Sequence, residues 1–323
     1  MVERPVPEPG PGEVRVAVQV SGVNPTDWKS RLGTGSGELP FPEVVPNQDG
    51  AGTVDSVGAG VDASRVGERV WLWEAAWQRA DGTAQAYVVL PERQAVQLPS
   101  DVSFDVGASL GIPALTAHRC LTVSDGGPHR LGPGALAGRI VLVAGGAGAV
   151  GHAAIQLARW AGARVISTVS SDEKAVLASA AGADDVVNYR SLDAADQIRQ
   201  LAPDGVDVVV EVAPGPNASL DSSVLAANGT VAAYANDGGN ELGLSVRELM
   251  FRNVRYQFVL VYTVPIAAKD QAVADVTAAA AAGVLPVGAD AGLPLHRFAL
   301  EQAAAAHSGV EGGIVGKVLI DIS

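Results

Sequence analysis

The apolar positions of this chain change period near its middle. Over residues 13–121 they fall into short runs at 13–20, 52–57, 69–73 and 86–89, separated by glycines and prolines. Runs of that length with turn residues between them predict a mainly β region. From residue 140 to about 261, β-branched runs alternate with stretches of helical spacing. Strands are predicted at 140–144, 164–169, 185–187, 207–212, 229–234 and 255–259. Six such strands joined by helices predict an α/β domain with a doubly wound parallel sheet. A helical stretch at 270–282 and a last strand at 317–320 are expected to return to the β region. The expected division is therefore 1–121 with 263–323, and 122–262. The alanine runs 278–282 and 303–306 read as helix formers.

The first strand of the α/β region runs straight into Gly145, Gly146, Gly148 and Gly151. In Gly146-x-Gly148-x-x-Gly151 the first glycine allows a tight turn, the second lets the backbone approach a pyrophosphate, and the third lets a helix close on the strand. Ala154, Ile155, Leu157 and Ala158 then recur at helical spacing. The free N–H groups of Ala149 and Val150 in the first turn complete a phosphate-binding helix N-terminus. Strand, glycine turn, helix and second strand in that order predict a dinucleotide site.

The end of the second strand bears on which dinucleotide. Enzymes that prefer NAD usually carry Asp or Glu there to hydrogen-bond the ribose 2′-hydroxyl. This chain has Val169, followed by Ser170, Ser171, Asp172, Glu173 and Lys174. Two hydroxyls and a lysine suit a 2′-phosphate, and NADPH is the expected cofactor. The same residues also read as a helix cap at Ser171 with a solvated lysine. Tyr234 and Asn236, after the fifth strand, and Phe258, Val259 and Tyr262, after the sixth, stand where open α/β sheets bind ligands. Core packing is the equal alternative for Phe258.

Charge and composition narrow the partners. Twenty-two basic against 35 acidic residues give a net charge of −13, which disfavours nucleic acid or an anionic membrane as the main partner. A length of 323 residues with 48% hydrophobic content suits two packed cores. A single cysteine, Cys120, gives no disulfide framework and reads as a buried small hydrophobe. With no leader and no apolar run of membrane length, a cytoplasmic protein is expected. High alanine and glycine content suggests a GC-rich bacterial genome. Trp71 and Trp73 read as one packed face of a strand, and His118, His129, His152, His296 and His307 form no metal spacing.

Several further stretches, in order along the chain, carry a resemblance. They are Gly22-Val23-Asn24-Pro25-Thr26-Asp27, Gly67-Glu68-Arg69-Val70, Leu110-Gly111-Ile112-Pro113-Ala114-Leu115-Thr116-Ala117, the glycine turn through Gln156-Leu157-Ala158, Gly182-Ala183, Val187-Asn188-Tyr189-Arg190, and Gly316-Lys317-Val318. With them the chain resembles the zinc-independent quinone oxidoreductases, the zeta-crystallin-like branch of the medium-chain dehydrogenase/reductase family. The resemblance implies a GroES-like catalytic domain beside a Rossmann domain, with the active site in the cleft between them. It implies NADPH held by Lys174 and Tyr189 at the 2′-phosphate, with Thr116 and Lys317 also meeting the cofactor. A homodimer or homotetramer through the nucleotide-binding domains is implied as well. The resemblance also implies an N-terminal β-hairpin ahead of residues 7–12 that this chain does not show. The glycine- and proline-rich stretch 124–138 is longer than the family pattern and receives no function.

In the zinc alcohol dehydrogenases that share this ancestry, a cysteine, a histidine and a second cysteine hold the metal. The matching positions here are Asn24, Gln48 and Ile112, and zinc prefers thiolate, imidazole or carboxylate. A metal-free enzyme is expected, with Asp27 and Asp49 near the site. Hydride transfer from NADPH to an already electrophilic acceptor, a quinone or a conjugated enone, is the expected reaction. Asn24 and Gln48 are expected to orient the acceptor as neutral amide donors, with ordinary loop hydrogen bonding as the alternative. Trp28 can stack on the acceptor, and its single N–H makes a poor proton donor. An enoyl reductase of secondary metabolism and a non-catalytic NADPH-binding relative are the other functions this pattern allows.

Overall fold

The computed structural model describes residues 1–33, 41–190 and 193–322. The chain divides into two compact units, Met1–Ile112 with Pro294–Ser323, and Pro113–Leu293. The boundary falls inside one helix, at a proline.

The first unit opens with β1 (Glu13–Val23), whose alternate residues Val14, Val16 and Val18 are buried in a core shared with Val54, Val70, Leu72, Val88 and Leu90. Then come α1 (Pro25–Arg31), β2 (Asp49–Val57), β3 (Arg69–Leu72), β4 (Tyr87–Pro91), β5 (Ala95–Gln97) and α2 (Phe104–Leu121). Trp71 and Trp73 are fully buried, as a packed face requires.

In the second unit, parallel strands alternate with helices. They are β6 (Ile140–Ala144), α3 (Ala149–Trp160), β7 (Arg164–Val169), α4 (Asp172–Ala180), β8 (Asp185–Asn188), α5 (Ala194–Leu201), β9 (Val206–Glu211), α6 (Pro214–Val224), β10 (Leu225–Ala233), α7 (Val246–Phe251), β11 (Arg255–Phe258) and α8 (Ile266–Ala281). The sheet order β11-β10-β9-β6-β7-β8 is doubly wound, with β6 at the centre. Its interior is aliphatic, with Leu142, Ile166, Ile198, Val209 and Val231 almost wholly buried.

The chain then re-enters the first unit as β12 (Leu295–Ala299), α9 (Ala303–Glu311) and β13 (Lys317–Asp321). There the order is β12-β13-β1-β2-β3-β5, with β4 also on β1. All of its pairings are antiparallel except that of β12 with β13.

The unit boundaries differ from the sequence expectation at α8. That helix was expected to return to the β region, and it packs in the α/β unit instead. Lys269 donates to the carbonyl of Tyr262 at 2.7 Å. Asp275 accepts from the His118 ring at 2.8 Å, the Arg130 guanidinium at 2.7 Å and the Leu131 N–H at 2.7 Å. This buried carboxylate gives the stretch 124–138 its structural role, since two of its residues end on Asp275. Among the described residues, no helix is long and apolar enough to cross a membrane.

Candidate active site

In the first unit, strand register builds a buried polar cluster. β1 and β13 pair antiparallel with Val23 opposite Val318, so Lys317 falls opposite Asn24, one residue beyond β1. β1 and β2 pair with Gly22 opposite Asp49, which brings the carboxylate to the same place. Close approach is what Gly22 and Gly111 provide. A Cβ on Gly111 would stand 2.1 Å from Asp49 Oδ1, and one on Gly22 would stand 2.1 Å from the Ala108 carbonyl and 3.1 Å from Lys317 Cε.

The resulting cluster is wholly buried. Lys317 Nζ donates to Asn24 Oδ1 at 2.8 Å and to Asp49 Oδ2 at 3.4 Å, while Asn24 Nδ2 donates to Asp49 Oδ2 at 2.7 Å. Asp49 Oδ1 accepts the Ile112 N–H at 2.8 Å. Asn24 is the N-cap of α1, yet its side chain makes no cap hydrogen bond. Asp27 serves that turn instead, its Oδ2 accepting the Asn24 N–H at 2.7 Å. The other Asp27 oxygen is buried with no partner. Burial, with Asp49 close by, pushes the Asp27 carboxyl up to about 8. Burial likewise raises Asp49 and lowers Lys317, against the mutual attraction of the two.

Gln48 lies beside it and is also buried. Its Oε1 accepts the Ala76 N–H at 3.1 Å, which aims the amide by a backbone contact. Asn47 precedes it at φ 81°, a left-handed conformation that asparagine tolerates. His307 and Ser21 hold the Asn47 side chain, at 2.8 and 2.9 Å. Trp28 sits on α1, half-buried, with the Lys29 ammonium 5.7 Å from its ring centroid.

In the α/β unit, the candidate cofactor residues lie along the carboxyl ends of the parallel strands. Gly145 turns at φ 70° and its N–H reaches the Thr168 carbonyl at 3.0 Å, tying the turn to β7. A Cβ on Gly146 would stand 2.0 Å from Ser167 Oγ, and one on Gly151 would stand 2.4 Å from the Gly145 carbonyl. Those two glycines are fixed by packing within the protein. Gly148 is different: it is exposed, a Cβ there would meet nothing nearer than 3.4 Å, and it caps α3 with no side-chain hydrogen bond. Ala149 and Val150 follow this open position as the first residues of α3.

At the end of β7, Lys174 Nζ donates to Ser170 Oγ at 3.1 Å, and Ser171 Oγ caps α4 by accepting the Lys174 N–H. Tyr189 joins them through its N–H to the Val169 carbonyl at 3.0 Å, with its ring partly exposed. Thr116 is buried in α2. Tyr234 follows β10, its N–H on the Glu211 carbonyl at 3.0 Å. Burial first, then Cys120, Glu211 and Asp237, push its phenol well above the usual value. Asn236 bonds the Asn240 side chain. Phe258 ends β11 and is 63% exposed, so it lies outside the core, whereas Val259 and Tyr262 beyond it are buried. Lys317, expected to meet the cofactor, has its ammonium engaged by Asn24 and Asp49 in the first unit.

Comparison with known proteins follows this division. The profile described as "Alcohol dehydrogenase GroES-like domain" matches residues 10–100, and that described as "Zinc-binding dehydrogenase" matches residues 149–280. Rat quinone oxidoreductase is 32% identical over 322 residues, covering 98% of this chain and 91% of the rat protein. The chain belongs to the zeta-crystallin-like quinone oxidoreductase branch of the medium-chain dehydrogenase/reductase family. Among solved structures similar to this chain, an NAD-dependent alcohol dehydrogenase superposes with a TM-score of 0.86 at 29% identity, covering 100% of this chain and 95% of that one. A mycobacterial protein solved with NADPH gives 0.79 at 29% identity, covering 99% and 94%.

The second profile's description raises zinc, and the residues here do not fit it. Asn24, Gln48 and Ile112 supply two amides and an aliphatic side chain. Asn24 Oδ1 and Asp49 Oδ2 already accept a buried ammonium, which would repel a dication. Sequence reasoning placed Asn24 and Gln48 but missed their supports, Asn47, His307 and the ammonium of Lys317. Only the β1–β13 register, invisible in a linear pattern, puts that lysine beside Asn24.

Proposed function

We propose that this protein transfers a hydride from NADPH to a quinone or a conjugated carbonyl, without zinc. What carries the cofactor reading is the end of β7, where Lys174 and Ser170 are joined beside Tyr189 and the expected carboxylate position is Val169. A 2′-phosphate would take charge-assisted hydrogen bonds there that a 2′-hydroxyl cannot match. Gly148, Ala149 and Val150 would hold the pyrophosphate. When bound, NADPH supplies a hydride from C4 of its nicotinamide.

The remaining chemistry belongs to the chain's own groups. Reduction places negative charge on an acceptor oxygen, and fixed amide N–H groups stabilise that charge without reorganising. Asn24 and Gln48 are buried, neutral and held by partners on the protein, and we assign them this orienting role. Trp28 offers a ring for an aromatic acceptor to stack on.

The test is an equilibrium titration with NADPH and NADH, followed by turnover with a quinone and, separately, an enone. NADPH is expected to bind more tightly and to be oxidised by one of these acceptors. Lys174→Ala is expected to weaken NADPH about tenfold, or about 1.4 kcal/mol, and to leave NADH nearly unchanged. Equal loss for both cofactors, or tighter NADH binding by the parent, would refute the assignment.

A further inference from the structure

We propose that the buried Lys317–Asp49 pair is a positioning device that locks the side-chain amide of Asn24 in one orientation, so that Asn24 always presents an N–H to the acceptor. The proposal rests on the reading of Asn24 as an acceptor-orienting group. An asparagine amide has two orientations of nearly equal shape, related by exchange of its oxygen and nitrogen. In one it offers the acceptor a donor, and in the other a lone pair that repels developing negative charge.

Here the two alternatives are far from equal. Lys317 Nζ can only donate, and it sits 2.8 Å from Asn24 Oδ1. Asp49 Oδ2, ionised, can only accept, and it sits 2.7 Å from Asn24 Nδ2. Flipping the amide would set an N–H against the ammonium and an oxygen against the carboxylate, both fully buried. Each wrong contact in such surroundings is severe. Asp49 is itself held by the Ile112 N–H at 2.8 Å, and Lys317 is held by strand register. The Asn24 N–H is held by Asp27 at 2.7 Å, and its side chain is held at both ends of the amide by the pair. One Nδ2 hydrogen goes to Asp49, and in the proposed role the second serves the acceptor. The lysine and carboxylate thus act through Asn24.

The test uses the full chain with Lys317→Met, Lys317→Arg and the double variant Lys317→Met/Asp49→Leu. Replacing both members of a buried ion pair by apolar groups is often neutral for stability, so the double variant guards against a simple folding defect. Lys317→Met and the double variant are expected to lower kcat/KM for the acceptor by about 10²-fold, a size typical of lost orientation. NADPH affinity should stay within about twofold, since a factor of two is under 0.5 kcal/mol. Lys317→Arg, which keeps a cationic donor, should recover most of the loss. Parent-like acceptor kinetics in the folded double variant would overturn the proposal, as would equal losses in cofactor and acceptor binding.

A second readout separates this proposal from the function it rests on. The side-chain ¹⁵N–¹H₂ signals of Asn24, assigned by Asn24→Ser, should form one sharp pair in the parent. They should shift or broaden in Lys317→Met and return in Lys317→Arg, whether or not any acceptor turns over. Unchanged signals in Lys317→Met would refute the lock even if the enzyme reduces quinones. A parent that shows the lock and oxidises no NADPH would instead refute the proposed function.

Discussion

Gly148→Ala is expected to fold as the parent does and to lose about 10²-fold in NADPH affinity, some 2.7 kcal/mol. The added methyl meets no protein atom nearer than 3.4 Å, and the residue is an extended N-cap at φ −86°, a conformation alanine adopts freely. Its stability cost is the difference between glycine and alanine at an N-cap, about 1 kcal/mol or less. The methyl does stand where the backbone must approach a pyrophosphate. Gly151→Val gives the opposite combination. Its Cβ would lie 2.4 Å from one backbone oxygen and 2.9 Å from Gly146 Cα, so α3 must move off the turn. Overpacking of that kind costs about 1–3 kcal/mol, and cofactor binding is lost with the geometry. Urea unfolding and NADPH titration of both variants separate the two effects. Parent-like NADPH affinity in Gly148→Ala would show that no phosphate group approaches that glycine.

Asp275→Ala is expected to cost the α/β unit about 3–5 kcal/mol, the range for removing one partner from a buried charged network. The loss strands the His118 ring and the Leu131 N–H, both buried, and frees Arg130. Hydrogen exchange should rise first across 124–138, the stretch that ends on this carboxylate. Burial by itself would raise the Asp275 carboxyl, but hydrogen bonds from His118, Arg130 and Leu131 outweigh it and hold it at about 2. The folded value lies below the ordinary 3.8. Its stabilisation is therefore fully present above that ordinary value and is lost as pH falls through about 2. In Asp275→Ala this acid-dependent component of unfolding should vanish. An unchanged urea midpoint with unchanged exchange at 130–131 would contradict this account.

The α/β unit was legible in the sequence because local signals agree there. The β-branched run 140–144, the glycine spacing and the helical period of α3 each point to the same turn, and the structure confirms β6 and β7 at their predicted bounds. The return to the β unit was read too early because α8 is alanine-rich and nearly featureless as a pattern. What decides its place is Asp275 meeting His118, a contact between residues 157 positions apart. The partners of Lys317 were hidden for a related reason. A lysine after glycine reads as solvated or cofactor-facing, and only strand pairing shows it buried against Asn24. Asn24 and Gln48 were legible through their neighbours in sequence, but the network that fixes them is assembled from β1, β2, β13 and α9. No linear period encodes such a convergence.

Direct hydride transfer from NADPH to an electrophilic acceptor, as proposed, is open to a single-turnover isotope experiment. Protein loaded with NADPH deuterated at the transferring C4 position is mixed with excess quinone or enone, and loss of the reduced cofactor is followed in time. Oxidation is expected in one phase that is slower for the deuterated cofactor, with the label found on the β-carbon of the saturated product when the acceptor is an enone. Oxidation without an isotope effect and without label transfer, or no oxidation of bound NADPH by either acceptor class, would contradict it.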